Sequence, residues 1–304
     1  MKKVLLTGAS GFVGRHSIPF LLNKGYKVHA VFHKGKIDVI KNENLFWHQC
    51  DLLNPLEQEQ LFTKVKPTYL LHFAWYAVPG KYWTSNKNLA WEEASINLIK
   101  RFYENDGQRM VAAGTCAEYA WDSGVLSEDR TPLKPKTIYG RCKSRVGSFL
   151  EKYSKEIGAS SAWGRIFFLY GPYEDPRRLV PSVICSLLKN KPALCTHGEQ
   201  VRDFLFVKDV ASAFVGLLES DVAGSVNVAS GQPVALKDII YKIAEKLGRR
   251  DLVQLGALPT KDNEPKLLIA DIRKLAEKAR WQPKFDLNTG LELTIKWWKN
   301  KLYV

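Results

Sequence analysis

Lys3-Val4-Leu5-Leu6-Thr7 is followed by Gly8-Ala9-Ser10-Gly11-Phe12-Val13-Gly14, an apolar run that ends in glycines spaced G-x-x-G-x-x-G. A nearly continuous apolar run predicts a strand buried on both faces, as in a parallel sheet. The glycines permit a tight turn and close backbone approach, and helical periodicity from about Gly11 to Asn23 follows them. Pro19 falls inside that helix and is expected to kink it. A strand, a glycine turn and a helix in this order leave backbone N–H groups free at the helix start. Such a terminus binds anionic oxygens, above all a dinucleotide pyrophosphate. Thr7, Gly8, Ser10, Gly11, Phe12, Val13 and Gly14 are therefore the first candidate cofactor contacts.

The pattern repeats downstream. Strand-like runs fall at Lys3–Thr7, Lys27–Phe32, Leu45–Cys50, Tyr69–Phe73, Arg109–Ala113 and Ser161–Phe168. Helical stretches lie between them at about Gly11–Asn23, Leu56–Lys64, Trp91–Tyr103 and Tyr139–Ile157. Alternation of this kind predicts an α/β fold, a doubly wound parallel sheet of the Rossmann type. Beyond Tyr170 the texture changes, with prolines at 172, 176, 181 and 192 read as breaks between short elements. Helices are expected near Val207–Leu218 and Leu236–Leu247, a strand at Ser225–Ala229, and a tail helix ending in Trp297-Trp298. Cys50, Cys116, Cys142, Cys185 and Cys195 are scattered without a C-x-x-C pair or a nearby His set, so free thiols are expected and no metal site.

Two further positions bear on chemistry. In folds of this type an acid after the second strand accepts the adenosine ribose hydroxyl, whereas a basic group tolerates a 2′-phosphate. Here the second strand runs into His33-Lys34-Gly35-Lys36, and the first acid, Asp38, comes late. NADP(H) is expected ahead of NAD(H), with His33, Lys34 or Lys36 meeting the phosphate; a solvated basic loop is the alternative. Tyr139 and Lys143 stand one helical turn apart and project from one face. A phenol near pKa 10 is a poor acid or base at neutral pH, and an ammonium one turn away lowers the cost of its anion.

With these residues in place, the sequence resembles the extended branch of the short-chain dehydrogenase/reductase superfamily: the nucleotide-sugar epimerases, dehydratases and reductases. Thr7–Gly14 matches the family's glycine motif and Asp51-Leu52 its contact with adenine. His72-Phe73-Ala74, with Trp75 next, corresponds to the segment beside the cofactor, and Asn97 to a structural helix asparagine. Thr115, Tyr139 and Lys143 match the catalytic triad. Arg165 through Tyr170-Gly171-Pro172, and Arg202-Asp203-Phe204 followed by Val207-Lys208-Asp209-Val210, match later family segments. The resemblance implies that Arg202 binds a substrate diphosphate and that the protein is a homodimer. It also implies a dinucleotide-binding domain over 1–169, to which the chain returns at about 205–230. A smaller α/β domain for the nucleotide sugar would occupy 170–304.

Departures from the family pattern narrow the chemistry. Dehydratases place Asp-Glu directly after the threonine, whereas Thr115 is followed by Cys116-Ala117, and Glu118 is expected to point elsewhere. Thr196–Phe204, Leu255–Leu258, Asp262-Asn263-Glu264 and Trp281-Gln282-Pro283 are similar to reductases of CDP- and dTDP-linked 4-keto sugars. The expectation is an NADPH-dependent 4-ketoreductase, with a 4-epimerase holding NAD as the alternative. Trp75-Tyr76 through Trp83 reads either as an aromatic wall over the sugar or as packing. Arg178, beside Arg177, reads either as a diphosphate ligand or as a solvated charge. Cys116 and Cys142 are read as buried filler, and His72 as a satisfied strand-end histidine.

Charge is the unusual part of the composition. The 45 Lys+Arg against 31 Asp+Glu give a net +14. That surplus admits nucleic acid, a membrane surface or small polyanions as partners. No apolar run approaches a membrane span, and the opening apolar run is too short for an export signal, so a cytoplasmic location is expected. A dinucleotide and a nucleotide diphosphate sugar bound side by side account for the sign of the field without nucleic acid or membrane. An RNA-binding or cofactor-sensing protein on the same fold is the alternative outside enzymology.

Overall fold

A computed structural model describes residues 2–34, 41–122, 124–260 and 264–303. Lys36, Asp38, Asp262 and Asn263 lie outside the described residues. The first half contains β1 (Lys3–Thr7), α1 (Phe12–Asn23), β2 (Lys27–Phe32), β3 (Leu45–Gln49), α2 (Pro55–Val65), β4 (Tyr69–His72), α3 (Lys87–Glu104) and β5 (Arg109–Thr115). Then come β6 (Val125–Leu126), α4 (Ile138–Glu156), β7 (Ser160–Ile166), β8 (Phe168–Tyr170), α5 (Leu179–Leu188), β9 (Ala193–Leu194) and β10 (Val201–Phe206). The chain finishes with α6 (Val207–Glu219), β11 (Gly224–Val228), β12 (Pro233–Ala235), α7 (Leu236–Leu247), β13 (Val253–Gln254), β14 (Leu267–Ala270) and α8 (Leu287–Tyr303).

A seven-stranded parallel sheet runs β11-β7-β5-β4-β1-β2-β3. Successive residues of β1 face opposite sides. Val4 and Leu6 pack with Ile18 and Leu21 of α1 and with Val210, Ala213 and Phe214 of α6. Leu5 packs on the other side with Phe62 of α2, Leu98 and Phe102 of α3, and Val146 and Leu150 of α4. The fold is therefore α/β, with helices on both faces of the sheet. From β1 the chain winds outward through β2 and β3, then crosses back to β4 and β5 on the other side. The strand order reverses between β1 and β4, and crevices at such points receive ligands at the C-terminal ends of the strands.

A second sheet, β12-β10-β14-β6 with β8 also paired to β10, lies beside the first. Its apolar partners are α5, α7 and α8, which contribute Ile184, Leu187, Ile239, Ile243, Leu291 and Trp298 to a common core. Asn227 of β11 joins the two sheets. Its side chain, fully buried, accepts from the Tyr119 hydroxyl at 2.7 Å and donates to the carbonyls of Leu126 at 2.9 Å and Asp271 at 3.1 Å.

One expectation changes. Pro181 lies in the first turn of α5 instead of separating elements, because the first N–H groups of a helix have no intrahelical partner and a proline there removes nothing. The helix α1 continues past Pro19 to Asn23. Smaller shifts occur at the ends: α3 begins at Lys87, ahead of Trp91, and β5 extends to Thr115. Among the described residues no helix is long and apolar enough to cross a membrane.

Truncating Asn227 strands a hydroxyl and two carbonyls in the interior, each costing about 1–3 kcal/mol when left unpaired. Asn227→Ala is expected to lower the unfolding free energy by about 3 kcal/mol, read from the urea midpoint at constant m-value. An unchanged midpoint would remove Asn227 from this role.

Candidate active site

The end of β1 builds the first wall. Gly8 has φ +67 and passes so close to the next strand that a Cβ there would lie 2.8 Å from the Ala74 nitrogen. Only glycine fits both constraints. The turn is closed by Gly11 N–H donating to the Gly8 carbonyl at 2.9 Å. Gly11 caps α1 without any side-chain hydrogen bond, and the first turn contains no acid. The N–H groups of that turn are thus left to an anionic ligand.

Thr7 and His72 fix the strand ends behind the turn. The Thr7 hydroxyl accepts from Ala74 N–H at 3.4 Å and is hydrogen-bonded to Nδ1 of His72 at 2.6 Å. The other ring nitrogen of His72, Nε2, is hydrogen-bonded to Ser95 Oγ at 3.2 Å. Burial, reinforced by nearby Lys143, depresses its pKa to about 3. His72 is a neutral, satisfied strand-end histidine, as read from the sequence.

At the tip of β2, His33 and Lys34 are exposed. His33 Nδ1 lies 3.5 Å from the Asp51 carboxylate, which reaches across from the end of β3. Leu52 is buried. Phe73, Ala74 and Trp75 follow β4, with Ala74 buried and the other two half-buried. Tyr76 is half-buried, its ring 5.2 Å from the Lys87 ammonium.

Thr115, Tyr139 and Lys143 come together at the end of β5. Thr115 caps the single turn Cys116–Glu118: its hydroxyl accepts from Ala117 N–H at 3.2 Å, and its own N–H donates to Glu118 at 2.8 Å. Glu118 is fully buried and also receives Trp163 Nε1 at 3.0 Å and Arg165 Nε at 2.8 Å, so it is turned away from the crevice. Burial pushes the Cys116 thiol up to about 12, which keeps it neutral. Helix α4 begins where Thr137 Oγ1 accepts from Gly140 N–H at 3.0 Å. A Cβ on Gly140 would run into the Ala117 carbonyl oxygen, so glycine lets α4 close on the Thr115 turn.

Tyr139 stands in that first turn. Burial raises its pKa and the neighbouring Tyr82 adds to the effect, while hydrogen bonding to Thr115 works against both. The phenol is a neutral proton donor. Lys143 is 3% exposed and donates to the Ala113 carbonyl at 2.7 Å. Burial lowers its pKa to about 7, with Glu118 opposing.

The loop after β4 folds over this pair. Tyr82 meets Tyr139 edge to face at 4.8 Å, Trp83 at 5.7 Å and Trp75 at 6.5 Å. Arg178 reaches Tyr82 from the start of α5, its guanidinium 5.2 Å from the ring, and its charge works against the rise that burial imposes on the Tyr82 pKa. Arg177 instead pairs with Asp175 at 2.7 Å on the surface. Arg202 is 3% exposed, donates to Val201 O and to Glu264, and comes near Cys116. Cys142 is buried near Arg145 and Glu92. Among the described residues no group of three or more His, Cys, Asp or Glu side chains is placed to hold a metal ion.

Residues 4–229 match the NAD dependent epimerase/dehydratase family, which covers most of the chain and the site residues described above except Glu264, the partner of Arg202. The chain belongs to that family. It is 29% identical over 307 residues to CDP-abequose synthase of Salmonella typhimurium, covering 96% of this chain and 97% of that one. UDP-glucose 4-epimerase of Thermotoga maritima, solved with UDP-glucose, superposes with a TM-score of 0.88 at 23% identity over 99% of both chains. UDP-glucuronic acid 4-epimerase of Bacillus cereus, solved with UDP-glucuronic acid and NAD, superposes at 0.87 with 24% identity over 98% of this chain and 99% of that one. As an epimerase/dehydratase family member the chain is of the extended short-chain dehydrogenase/reductase type, and its glycine turn fits a nicotinamide dinucleotide. The cradle of Gly8 and the uncapped start of α1 supply that fit.

Asn88 and Gly140 are the residues of this site whose part sequence reasoning passed over. Gly140 had a signal, since it stands between Tyr139 and Lys143, where a helix surface with no packing requirement would favour a larger residue. The Thr115-x-x-Glu118 spacing was likewise readable as a capping box.

His16 and His29, pushed down to about 4, and His72, at about 3, are neutral in the fold but protonate near pH 6.5 when unfolded. Between those values the unfolded chain binds more protons, so these groups lose stability as pH falls from 6.5 toward 4. Glu174, raised to about 8 by burial, works in the opposite direction over part of that range. His72→Leu is expected to flatten the acid slope of the urea midpoint between pH 6.5 and 4.5, whatever it does to the midpoint itself. An unaltered slope in the variant would contradict a neutral His72.

Proposed function

We propose that the protein is a nicotinamide-dependent oxidoreductase of nucleotide sugars that reduces the 4-keto group of a nucleotide-diphosphate-linked 4-keto-6-deoxyhexose, with NADPH as donor. The observation that carries this reading is the neutral Tyr139 phenol at the end of β5, with no free carboxylate in the turn after Thr115. Tyr139 is neutral and faces the crevice, Cys116 is a neutral thiol, and Glu118 is fully buried and held by Trp163 and Arg165. Elimination of water needs an acid and a base after Thr115, and this turn has neither. Carbonyl reduction needs one hydride and one proton.

A nicotinamide dinucleotide held by Thr7 through Gly14 would supply the hydride for C4 of the sugar. Tyr139 gives its proton to O4 as negative charge develops there, and Thr115 steadies that oxygen by hydrogen bonding. Lys143, one turn on, favours the phenolate left behind and holds the cofactor ribose. Thr7 through Gly14 bind the pyrophosphate, Asp51 and Leu52 the adenine side, and Phe73, Ala74 and Trp75 the nicotinamide side. Exposed His33 and Lys34 support NADP(H). The sugar lies along Trp75 and Tyr76, with Arg178 and Arg202 toward the diphosphate and the elements after Tyr170 closing over it. The similarity to CDP-abequose synthase supports a CDP-sugar, and a dTDP-sugar is the close alternative.

A second reading, a 4-epimerase with tightly held NAD, draws on the NAD seen in the Bacillus cereus relative and on the Asp51 carboxylate beside His33, which disfavours a 2′-phosphate. CDP-, dTDP- and GDP-linked 4-keto-6-deoxyhexoses offered with NADPH or NADH separate the two. Loss of reduced nicotinamide with a new 4-hydroxyl in the product NMR spectrum supports the reductase. Purified protein that holds NAD, and interconverts C4 epimers without net consumption, supports the epimerase.

Tyr139→Phe is expected to cut turnover by at least about 10³-fold with dinucleotide affinity within a few-fold of the parent. Gly140→Ala moves α4 off the Thr115 turn, and misplacement on that scale costs about 10²-fold in turnover. Full activity in Tyr139→Phe would sink the assignment.

A further inference from the structure

The first turn of α3 contains a polar side chain with no contact to Tyr139 or Lys143 that nevertheless governs what surrounds both. Asn88 is fully buried. Its Nδ2 donates to the carbonyls of Tyr82 at 2.7 Å and Ser85 at 2.8 Å, and its Oδ1 accepts from Trp75 Nε1 at 2.9 Å. Two carbonyls and an indole N–H dictate the orientation of the amide. Aspartate would set a carboxylate against two carbonyl oxygens, and an apolar residue would take this partner from the Tyr82 carbonyl and the Trp75 indole N–H, whereas the Ser85 carbonyl keeps the Asn88 backbone N–H at 3.2 Å.

The groups held by this amide are those that face the pair. Trp75, anchored through its indole nitrogen, lays its ring 3.9 Å from the Lys143 ammonium. The Tyr82 carbonyl, anchored by Nδ2, belongs to the residue whose ring meets Tyr139 at 4.8 Å. The next carbonyl, that of Trp83, accepts from Tyr139 N–H at 3.2 Å. One amide therefore ties the loop between β4 and α3 into a shape that presents one ring to the ammonium and another to the phenol. The other groups around Lys143 are the Ala113 carbonyl, Glu118, His72 and the more distant Trp163 ring at 5.7 Å. None of these is held by α3 except His72, through Ser95.

We propose that Asn88 is a positioning residue: by holding Trp75 against the Lys143 ammonium and the Tyr82–Trp83 segment against the Tyr139 ring, it sets how that pair faces the crevice. This rests on the reading of Tyr139 and Lys143 as the reacting pair. A ring over a buried ammonium stabilises its charge, so loss of the ring favours the neutral amine.

The test compares Asn88→Leu, Trp75→Leu and Trp75→Phe with the full-length parent. Lysine labelled with ¹³C at Cε reports the Lys143 titration, assigned with Lys143→Met, and the nitrogen-bound indole protons report exchange, assigned with Trp75→Phe. Trp75→Leu is expected to lower the Lys143 midpoint by about one pH unit, with Trp75→Phe intermediate. Asn88→Leu is expected to shift the same midpoint downward and to speed exchange of the Trp75 indole proton at least about tenfold, as its buried acceptor is lost. With a substrate in hand, Asn88→Leu lowers kcat by about tenfold and leaves KM for the nucleotide sugar within about twofold. An unshifted Lys143 midpoint and unchanged indole exchange in folded Asn88→Leu overturn the proposal. If that variant does not fold, equal Lys143 midpoints in Trp75→Leu and the parent overturn it instead. The two NMR readouts need no turnover, so absence of reductase activity would count against the proposed function alone.

Discussion

The Glu118 carboxylate is the anchor on which the crevice depends. It collects Thr115 N–H from the end of β5 and both Trp163 Nε1 and Arg165 Nε from β7, entirely out of water. Two charges in such a place are costly to desolvate, and removing one partner typically costs about 3–5 kcal/mol because the other is left uncompensated. What the pair gives in return is definition. Arg165 continues to the Tyr119 hydroxyl at 2.9 Å, and Tyr119 to Asn227, which grips β6 and the end of β14 in the second sheet. A single buried polar chain thus runs from the threonine turn to the seam between the two sheets. Because Gly140 packs α4 on the same turn, the positions of Tyr139 and Lys143 follow from it.

The same anchor explains a chemical economy. A glutamate close to the threonine invites a role in acid–base chemistry, but this one is saturated by donors and faces the wrong way. Cys116, next to Thr115, is a thiol that burial keeps protonated. Tyr139, a neutral phenol, stands in the crevice among the rings of Trp75, Tyr82 and Trp83, one helical turn from the Lys143 ammonium. Electrostatic surroundings, more than the identity of the motif, restrict what the site can do.

The sequence was most readable where structure is local or periodic. β1 and β2 end at the residues expected, because strands buried on both faces show as unbroken apolar runs, and α7 ends at Leu247, where Gly248 adopts a left-handed conformation. Prolines misled in one place: Pro181 marks a helix start, and the rule that reads proline as a break needs to know which turn it occupies. The candidate site was readable in its motif residues and not in what supports them. Asn88 and Arg178 act through Trp75 and Tyr82, partners that spacing along the chain does not disclose. The basic surplus, similarly, has no address in the composition. Near the crevice it resolves into His33, Lys34, Arg178 and Arg202, two of them already hydrogen-bonded or paired with acids.

The placement of β11 has a consequence for how the chain reaches this form. β11 is the outermost strand of the parallel sheet, yet it is synthesised long after β7, with α5, β10 and α6 in between. Until it arrives, β7 presents a bare row of backbone donors and acceptors, and the apolar face of α1 awaits α6. An open edge of this kind is a template for mispairing with other chains. The late strand closes that edge, so the N-terminal portion of the molecule completes its sheet only after much of the remainder has left the ribosome.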